Sequence, residues 1–324
     1  MTSFLFIPWF RFEQFPVPLP FTVPGFGDSF PMQPFMLLIW IGVLLGIRIG
    51  VEVAKRNGVS PVVAIELGLH GIVVGFVGAF VLNTVFYDPQ TLVDFFAHPE
   101  RMHTHRTGLS SYGGFFGAAF GVWIWAKRTK LPVLRIGDAA AFSLPFGWIF
   151  GRLGCFVVHD HPGHVTDFFL AVDGFRVGHA PFLPRHDLGF YEVLWAIAVS
   201  ILFAGLFLRK NVRPSGFYLA LELMLYAPVR FALDFLRAEA SEGGDVRYGG
   251  LTPGQYSSIV FFLIGAAVLR KVLTEGVQPI PAEWAWPPAP SAPASEGMAP
   301  VLAAAAPSGS SSGSSAKARK NPRS

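Results

Sequence analysis

Cysteine is nearly absent from this chain: Cys155 is the single one in 324 residues. That excludes a disulfide framework and any zinc site built on cysteines. Charge is also scarce, with Asp, Glu, Lys and Arg at 14% of positions against about a quarter in an ordinary soluble domain. The small basic excess, net +4, falls in short clusters between apolar runs, so it gives no patch for nucleic acid. No secretory signal is legible either. The start, MTSFLFIPWFRFEQFPVPLP, lacks a basic n-region and an A-x-A site and is broken by prolines. No internal repeat points to an inverted-repeat transporter.

What the chain has in abundance is apolar length. Hydrophobic residues make up 52% and aromatic residues 15%. A helix needs roughly 20 apolar residues to cross a bilayer core, and seven windows come close: 35–54, 62–86, 112–127, 137–158, 189–208, 216–236 and 254–271. The third is short, is followed by KRTK, and reads as tilted or partly re-entrant. Its Gly113, Gly114, Gly117 and Gly121 allow close helix packing. Lys55/Arg56, Lys127/Arg128/Lys130/Arg135, Arg209/Lys210/Arg213 and Arg270/Lys271 all fall on one side of these windows. The positive-inside rule makes that side the cytoplasm.

The expectation is therefore an all-α, polytopic integral membrane protein of about seven transmembrane helices, N-terminus outside and C-terminus cytoplasmic. Segments 87–111, 159–187 and 237–252 then face outward with most of the histidines. Trp123, Trp125, Trp195 and the stretch FLFIPWFRFEQFP suit an aromatic belt or a segment lying on the outer leaflet. The composition divides the chain into a membrane domain, 1–274, and a Pro/Ala/Ser-rich tail, 275–324, too poor in apolar surface to offset its ordering entropy.

Two arginines stand inside this apolar pattern. Arg152 and Arg230 each lie about six residues before the outer end of a window, where an unpaired charge costs about 2.5–3.5 kcal/mol. Two guanidiniums at one depth suit a phosphate, which they bind bidentately without losing charge. Alternatively each pairs with a buried carboxylate, the candidates being Glu66, Asp138, Glu192, Glu222 and Asp234. Asp234 lies one helical turn after Arg230.

Five stretches, in order across residues 36–271, resemble the motifs of the prolipoprotein diacylglyceryl transferases. GLSSYGGFFGAAFG is similar to that family's histidine-glycine-glycine segment, and PFGWIFGRLGCFVVHDHPG to its G-R-x-G-N-F signature with N-G-E and a later glycine. RHDLGFYE resembles R-H-P-S-Q-L-Y-E, YAPVRFALDFLR the tyrosine-arginine helix, and LTPGQYSS the motif L-T-M-G-Q-x-x-S.

The resemblance implies an enzyme of the bacterial plasma (inner) membrane, its site facing the periplasm or outer leaflet. It would move the diacylglyceryl group of phosphatidylglycerol to the lipobox cysteine of a prolipoprotein signal peptide, releasing glycerol 1-phosphate. Its partners would be these two substrates and membrane lipids, with no cofactor, no metal and no nucleic acid. Matched residue by residue, Arg152 and Arg230 fall at the essential arginines, with Tyr226 orienting substrate; Tyr112 stands where the family has histidine, and His186 completes the catalytic candidates. Gly113, Gly114, Gly151, Gly154, Cys155, Asp160, Gly163, Tyr191, Glu192 and Asp234 become candidates for binding substrate.

The departures are specific. Tyr112 replaces a histidine, and a phenol with an ordinary pKa of about 10 is a poor base at neutral pH. Cys155 replaces an asparagine, and Val158-His159-Asp160 replaces N-G-E. His159 or His161 could take over as base, since imidazole titrates near 6.5, or both are plain loop residues. Two other readings stay open. His98, His103 and His105 with His159, Asp160, His161 and His164 could ligate a metal, and the substitutions could mark a diverged paralogue that binds phospholipid or modifies another acceptor.

Overall fold

The computed structural model describes residues 6–10, 12–23, 27–86, 93, 97, 109–175, 182–209 and 213–288. Among them are seven long helices: α1 (Pro34–Arg56), α2 (Pro61–Phe86), α3 (Ser111–Thr129), α4 (Val133–Val158), α5 (Leu188–Leu208), α6 (Phe217–Leu233) and α7 (Pro253–Glu275). Each apolar window in the sequence is one of these helices. Five of them, α1, α2, α4, α5 and α7, are long and apolar enough to cross a membrane. The other two have local reasons to fall short. α3 ends in Lys127 and Arg128, while α6 has only 17 residues, about 25 Å of helix.

The chain sets these boundaries by recognisable devices. Ser110 caps α3 by accepting the Gly113 N–H at 3.2 Å, and Asp187 caps α5 by accepting from Phe190 at 3.1 Å. At α7, Thr252 and Gln255 form a reciprocal capping box with Pro253 in the first turn. α4 stops at His159, which takes a left-handed conformation (φ 52°).

In the bundle α2 packs on α3, α1 and α5 on α4, and α6 on α7. The largest buried apolar cluster joins Val53, Val63, Trp125, Ile136, Phe142, Phe203 and Tyr218. The outward faces remain apolar as well: Leu44, Val73, Phe76, Ile201, Leu263 and Leu273 are all exposed. A helix that is hydrophobic inside and out is solvated by lipid.

The all-α expectation needs correction. The chain is mostly helical, but six short strands are present among the described residues: β1 (Ile7–Pro8), β2 (Phe15–Val23), β3 (Gly27–Met32), β4 (Pro162–Val165), β5 (Val172–Phe175) and β6 (Leu183–Asp187). They form a β2-β3 hairpin and a four-stranded sheet in the order β1-β5-β6-β4. β1 is parallel to β5, and the remaining pairs are antiparallel. The sheet pulls the N-terminal stretch onto the segment between α4 and α5, pairing Ile7 with Val172 and Val172 with Arg185. The aromatic N-terminus is thus partly strand, with Trp9, Phe12, Phe15 and Phe21 exposed. Of the tryptophans assigned to a belt, Trp123 is exposed, whereas Trp125 is buried against His70 and Trp284, and Trp195 packs on Tyr226.

Residues 276–288 follow α7 back to the bundle. The Ser215 N–H donates to the Gly276 carbonyl at 3.0 Å, and the Ser60 N–H to that of Trp284 at 2.8 Å. Trp284 packs against the main apolar cluster. The rest of the Pro/Ala/Ser tract, 289–324, lies outside the described residues, as do His98, His103 and His105.

Candidate active site

One end of the bundle gathers the start of α3, the end of α4, the start of α5, the end of α6 and the start of α7. The ends of α4, α5, α6 and α7 contribute polar side chains to one buried row, and the start of α3 sets Tyr112 beside it. Arg152, six residues before the end of α4, places Nε 2.8 Å from Glu192 Oε2. Glu192, in the second turn of α5, places Oε1 3.6 Å from Arg230 Nε. Arg230 in turn binds Asp234, and the Asp234 carboxylate also accepts from Arg237 Nε at 2.9 Å and from the Thr252 hydroxyl. All are nearly inaccessible: Arg152 is 3% exposed, Glu192 1% and Asp234 0%.

Both arginines therefore pair with buried carboxylates. Glu192 and Asp234 are the counter-ions, while Asp138 instead accepts the Gly216 and Leu219 N–H groups at the start of α6, at 2.7 and 3.1 Å. Removing one partner from a buried pair costs about 3–5 kcal/mol, so the row is held in place by its own charges. The Nε atoms of Arg152 and Arg230 face the Glu192 carboxylate as ion pairs, and they and Glu192 Oε1 are buried without a well-directed hydrogen bond.

Aromatic rings wall this row. The Arg152 guanidinium lies 4.6 Å from the centre of the Trp148 ring, and that of Arg230 lies 5.9 Å from the Tyr112 ring. Trp148 Nε1 and the Tyr226 hydroxyl donate to Glu192 Oε2 at 3.2 and 3.4 Å. Tyr112 shares a 3.1 Å hydrogen bond with Ser258 and packs with Tyr226, Ala227 and Phe261. A Cβ on Gly254 would fall 2.5 Å from Asp234 Oδ2 and 3.3 Å from Arg230 Nη2, so only glycine lets α7 approach so closely.

On the other side of Arg152 stands the histidine segment. Arg152 Nη1 is 3.0 Å from His161 Nε2 and donates to Cys155 Sγ at 3.7 Å. His161 Nδ1 meets Asp160 Oδ1. Desolvation would raise the Asp160 pKa, but His161 and Arg152 outweigh it and hold the carboxyl below its ordinary range. His159 turns away, to Asp187 Oδ2 at 2.8 Å and the Phe10 carbonyl at 3.1 Å.

The remaining candidates divide between this site and its frame. His186 and Tyr191 are hydrogen-bonded to each other at 2.7 Å; burial, with the nearby His164, lowers the His186 pKa. Gly163 adjoins His186 and bridges to Arg237. Gly113 and Gly114 face α2, the first against Gly78 and Ala79 and the second near Ala79. Gly154 lies against Phe35, and Gly151 has open space around it. Of the supposed metal set, His98, His103 and His105 lie outside the described residues. Among the described residues, only Cys155, Asp160 and His161 come together with metal-ligand atoms.

Trp148, Arg237, Thr252, Gly254 and Ser258 join the site without having been singled out in the sequence. A signal existed for one of them: T-P-G-Q is a legible capping box, and its Thr252 is also the hydroxyl on Asp234.

The family model described as prolipoprotein diacylglyceryl transferase matches residues 26–270. Three proteins, each named phosphatidylglycerol–prolipoprotein diacylglyceryl transferase, are similar. That of Janthinobacterium sp. (strain Marseille) is 29% identical over 255 residues, covering 77% of this chain and 91% of the relative. That of Chromohalobacter salexigens is 28% identical over 241 residues, 74% and 87% of the two chains. That of Legionella pneumophila (strain Paris) is 34% identical over 183 residues, 56% and 68%.

Proposed function

The chain belongs to the prolipoprotein diacylglyceryl transferase family, and from that premise we propose how its buried row of charges serves the transfer. It is a bacterial membrane protein and a transferase of lipoprotein biosynthesis, with phosphatidylglycerol and prolipoprotein as its substrates. The acceptor atom is the sulfur of a lipobox cysteine in the signal peptide. As thiolate, it attacks the glyceryl carbon that bears the phosphate ester. The carbon–sulfur bond forms as the carbon–oxygen bond breaks, and the electron pair leaves on the phosphate oxygen of glycerol 1-phosphate.

Charge grows on that oxygen as the bond breaks, so the site must offer fixed positive charge beside it. Arg152 and Arg230 supply it, linked through Glu192 at 2.8 and 3.6 Å; this linked pair is the observation that carries the reading. Asp234 and Tyr226 orient the pair, Trp148 and Tyr112 keep it dry, and Cys155 lies beneath Arg152. His186, Tyr191 and Gly163 frame the segment leading to the site, while Gly113, Gly114, Gly151 and Gly154 set the helix approaches around it.

The seven helices among the described residues form the membrane domain, which extends a little past the expected boundary at 274 because α7 runs to Glu275 and Trp284 packs on the bundle, and a cytoplasmic tail follows. The N-terminus and the site end face the periplasmic side of the inner membrane, because the basic residues lie at the opposite helix ends.

The test is a mass spectrum of a lipobox peptide incubated with purified protein and phosphatidylglycerol. The wild type is expected to add a diacylglyceryl group to the peptide thiol, and Arg152→Ala to abolish the adduct. A wild type that binds phosphatidylglycerol yet gives no adduct would overturn the lipobox assignment.

A further inference from the structure

A thiol is nucleophilic only as thiolate, so the transfer needs a group to take its proton. Five histidines are among the described residues: His70, His159, His161, His164 and His186. His70 bonds the Glu66 carbonyl in its own helix, His159 engages Asp187 and Phe10, and His186 engages Tyr191. His164 lies on β4. Among them His161 alone touches the arginine row, through Arg152 Nη1 at 3.0 Å.

The hydrogen bonds fix its form. A guanidinium only donates, so Nε2 accepts from Arg152, and the ring proton sits on Nδ1 facing Asp160. The ring is oriented by a carboxylate, with Nε2 facing the arginine that holds the phosphate. The surrounding charged and titratable groups are Arg152, Asp160, Cys155, Asp187 and Glu192.

We propose that His161 is the proton acceptor of the transfer and that phosphatidylglycerol itself unmasks it. A phosphate oxygen is a stronger acceptor for a guanidinium than a neutral ring nitrogen. When the lipid phosphate engages Arg152, Nη1 turns to it and Nε2 is released beside the reacting carbon. Nε2 takes the thiol proton as the sulfur attacks, and the imidazolium returns that proton to the phosphate oxygen left by the broken carbon–oxygen bond. The balance closes: one thiol proton leaves sulfur and ends on glycerol 1-phosphate. Free thiol is thus activated only when the donor lipid is in place.

This proposal rests on the transferase reading, and one experiment separates their failures. Adduct formation and phosphatidylglycerol binding are measured for wild type, His161→Gln and His161→Ala. Glutamine keeps an acceptor for Arg152 but cannot carry a proton. His161→Gln should bind the lipid as wild type does and form adduct about 100- to 10,000-fold more slowly, the usual worth of a general base. His161→Ala should regain rate when imidazole is added. A His161→Gln rate within about twofold of wild type, or a loss matched by an equal loss of lipid binding, overturns His161 as base and leaves the transferase standing. A wild type without adduct sinks both.

Discussion

At the scale of single residues, the site depends on groups that hold one another's charge. Asp160 is the member most open to solvent, its side chain 43% exposed, and His161 and Arg152 keep its pKa low against desolvation. A carboxyl lowered on folding adds stability that is complete above its unfolded pKa, about 3.9. That contribution fades as pH falls through the folded value. The melting temperature of the detergent-solubilised protein should therefore drop as pH falls below about 4, and Asp160→Asn should flatten part of that drop. Identical acid profiles for the two proteins would remove Asp160 from the account.

At the scale of elements, α3 is positioned by the absence of side chains. A Cβ on Gly117 would lie 2.5 Å from the Val74 carbonyl oxygen and 3.0 Å from the Gly78 Cα; one on Gly78 would lie 2.5 Å from the Gly113 carbonyl oxygen. Gly117→Val must push α3 off α2, with a stability loss of about 1–3 kcal/mol for overpacking. It should also lower transfer activity, because Tyr112 at the start of α3 stands beside Arg230. Thermal unfolding and adduct yield of this variant check both effects. The glycines and the seven apolar runs were legible in the sequence because helix burial in lipid is written locally, residue after residue. The strands were not. FPVPLPFTV carries prolines where an alternating pattern would be sought, and the four-stranded sheet closes by pairing Ile7 with Val172, a contact no local pattern encodes. Arg152, Arg230, Glu192 and Asp234 were visible as charges in apolar surroundings. Which carboxylate met which arginine depended on tertiary packing, and so did the choice between His159 and His161. There a single left-handed residue, His159 at φ 52°, sends neighbouring rings to opposite partners.

At the scale of the whole molecule, the two ends of the bundle differ in kind. The site end carries the buried row and the sheet; the other carries Lys55, Arg56, Lys127 and Arg128 in the last turns of α1 and α3, and Arg270 and Lys271 just before the last turn of α7. In a Cys155→Ser background, a membrane-impermeant maleimide applied to intact spheroplasts should label Ser241→Cys and spare Arg128→Cys until the membrane is permeabilised. The reverse pattern would invert the proposed orientation. The Cys155→Ser background is simple to build because the chain holds just one thiol, and its sulfur lies 3.7 Å from Arg152 Nη1. Left in place, that thiol is an intrinsic spectroscopic reporter: its S–H stretch falls in an infrared window clear of other protein bands, and one thiol gives one band. The frequency should shift when Arg152 turns toward a lipid phosphate, making the arrival of the donor visible in an unlabelled, unmutated protein.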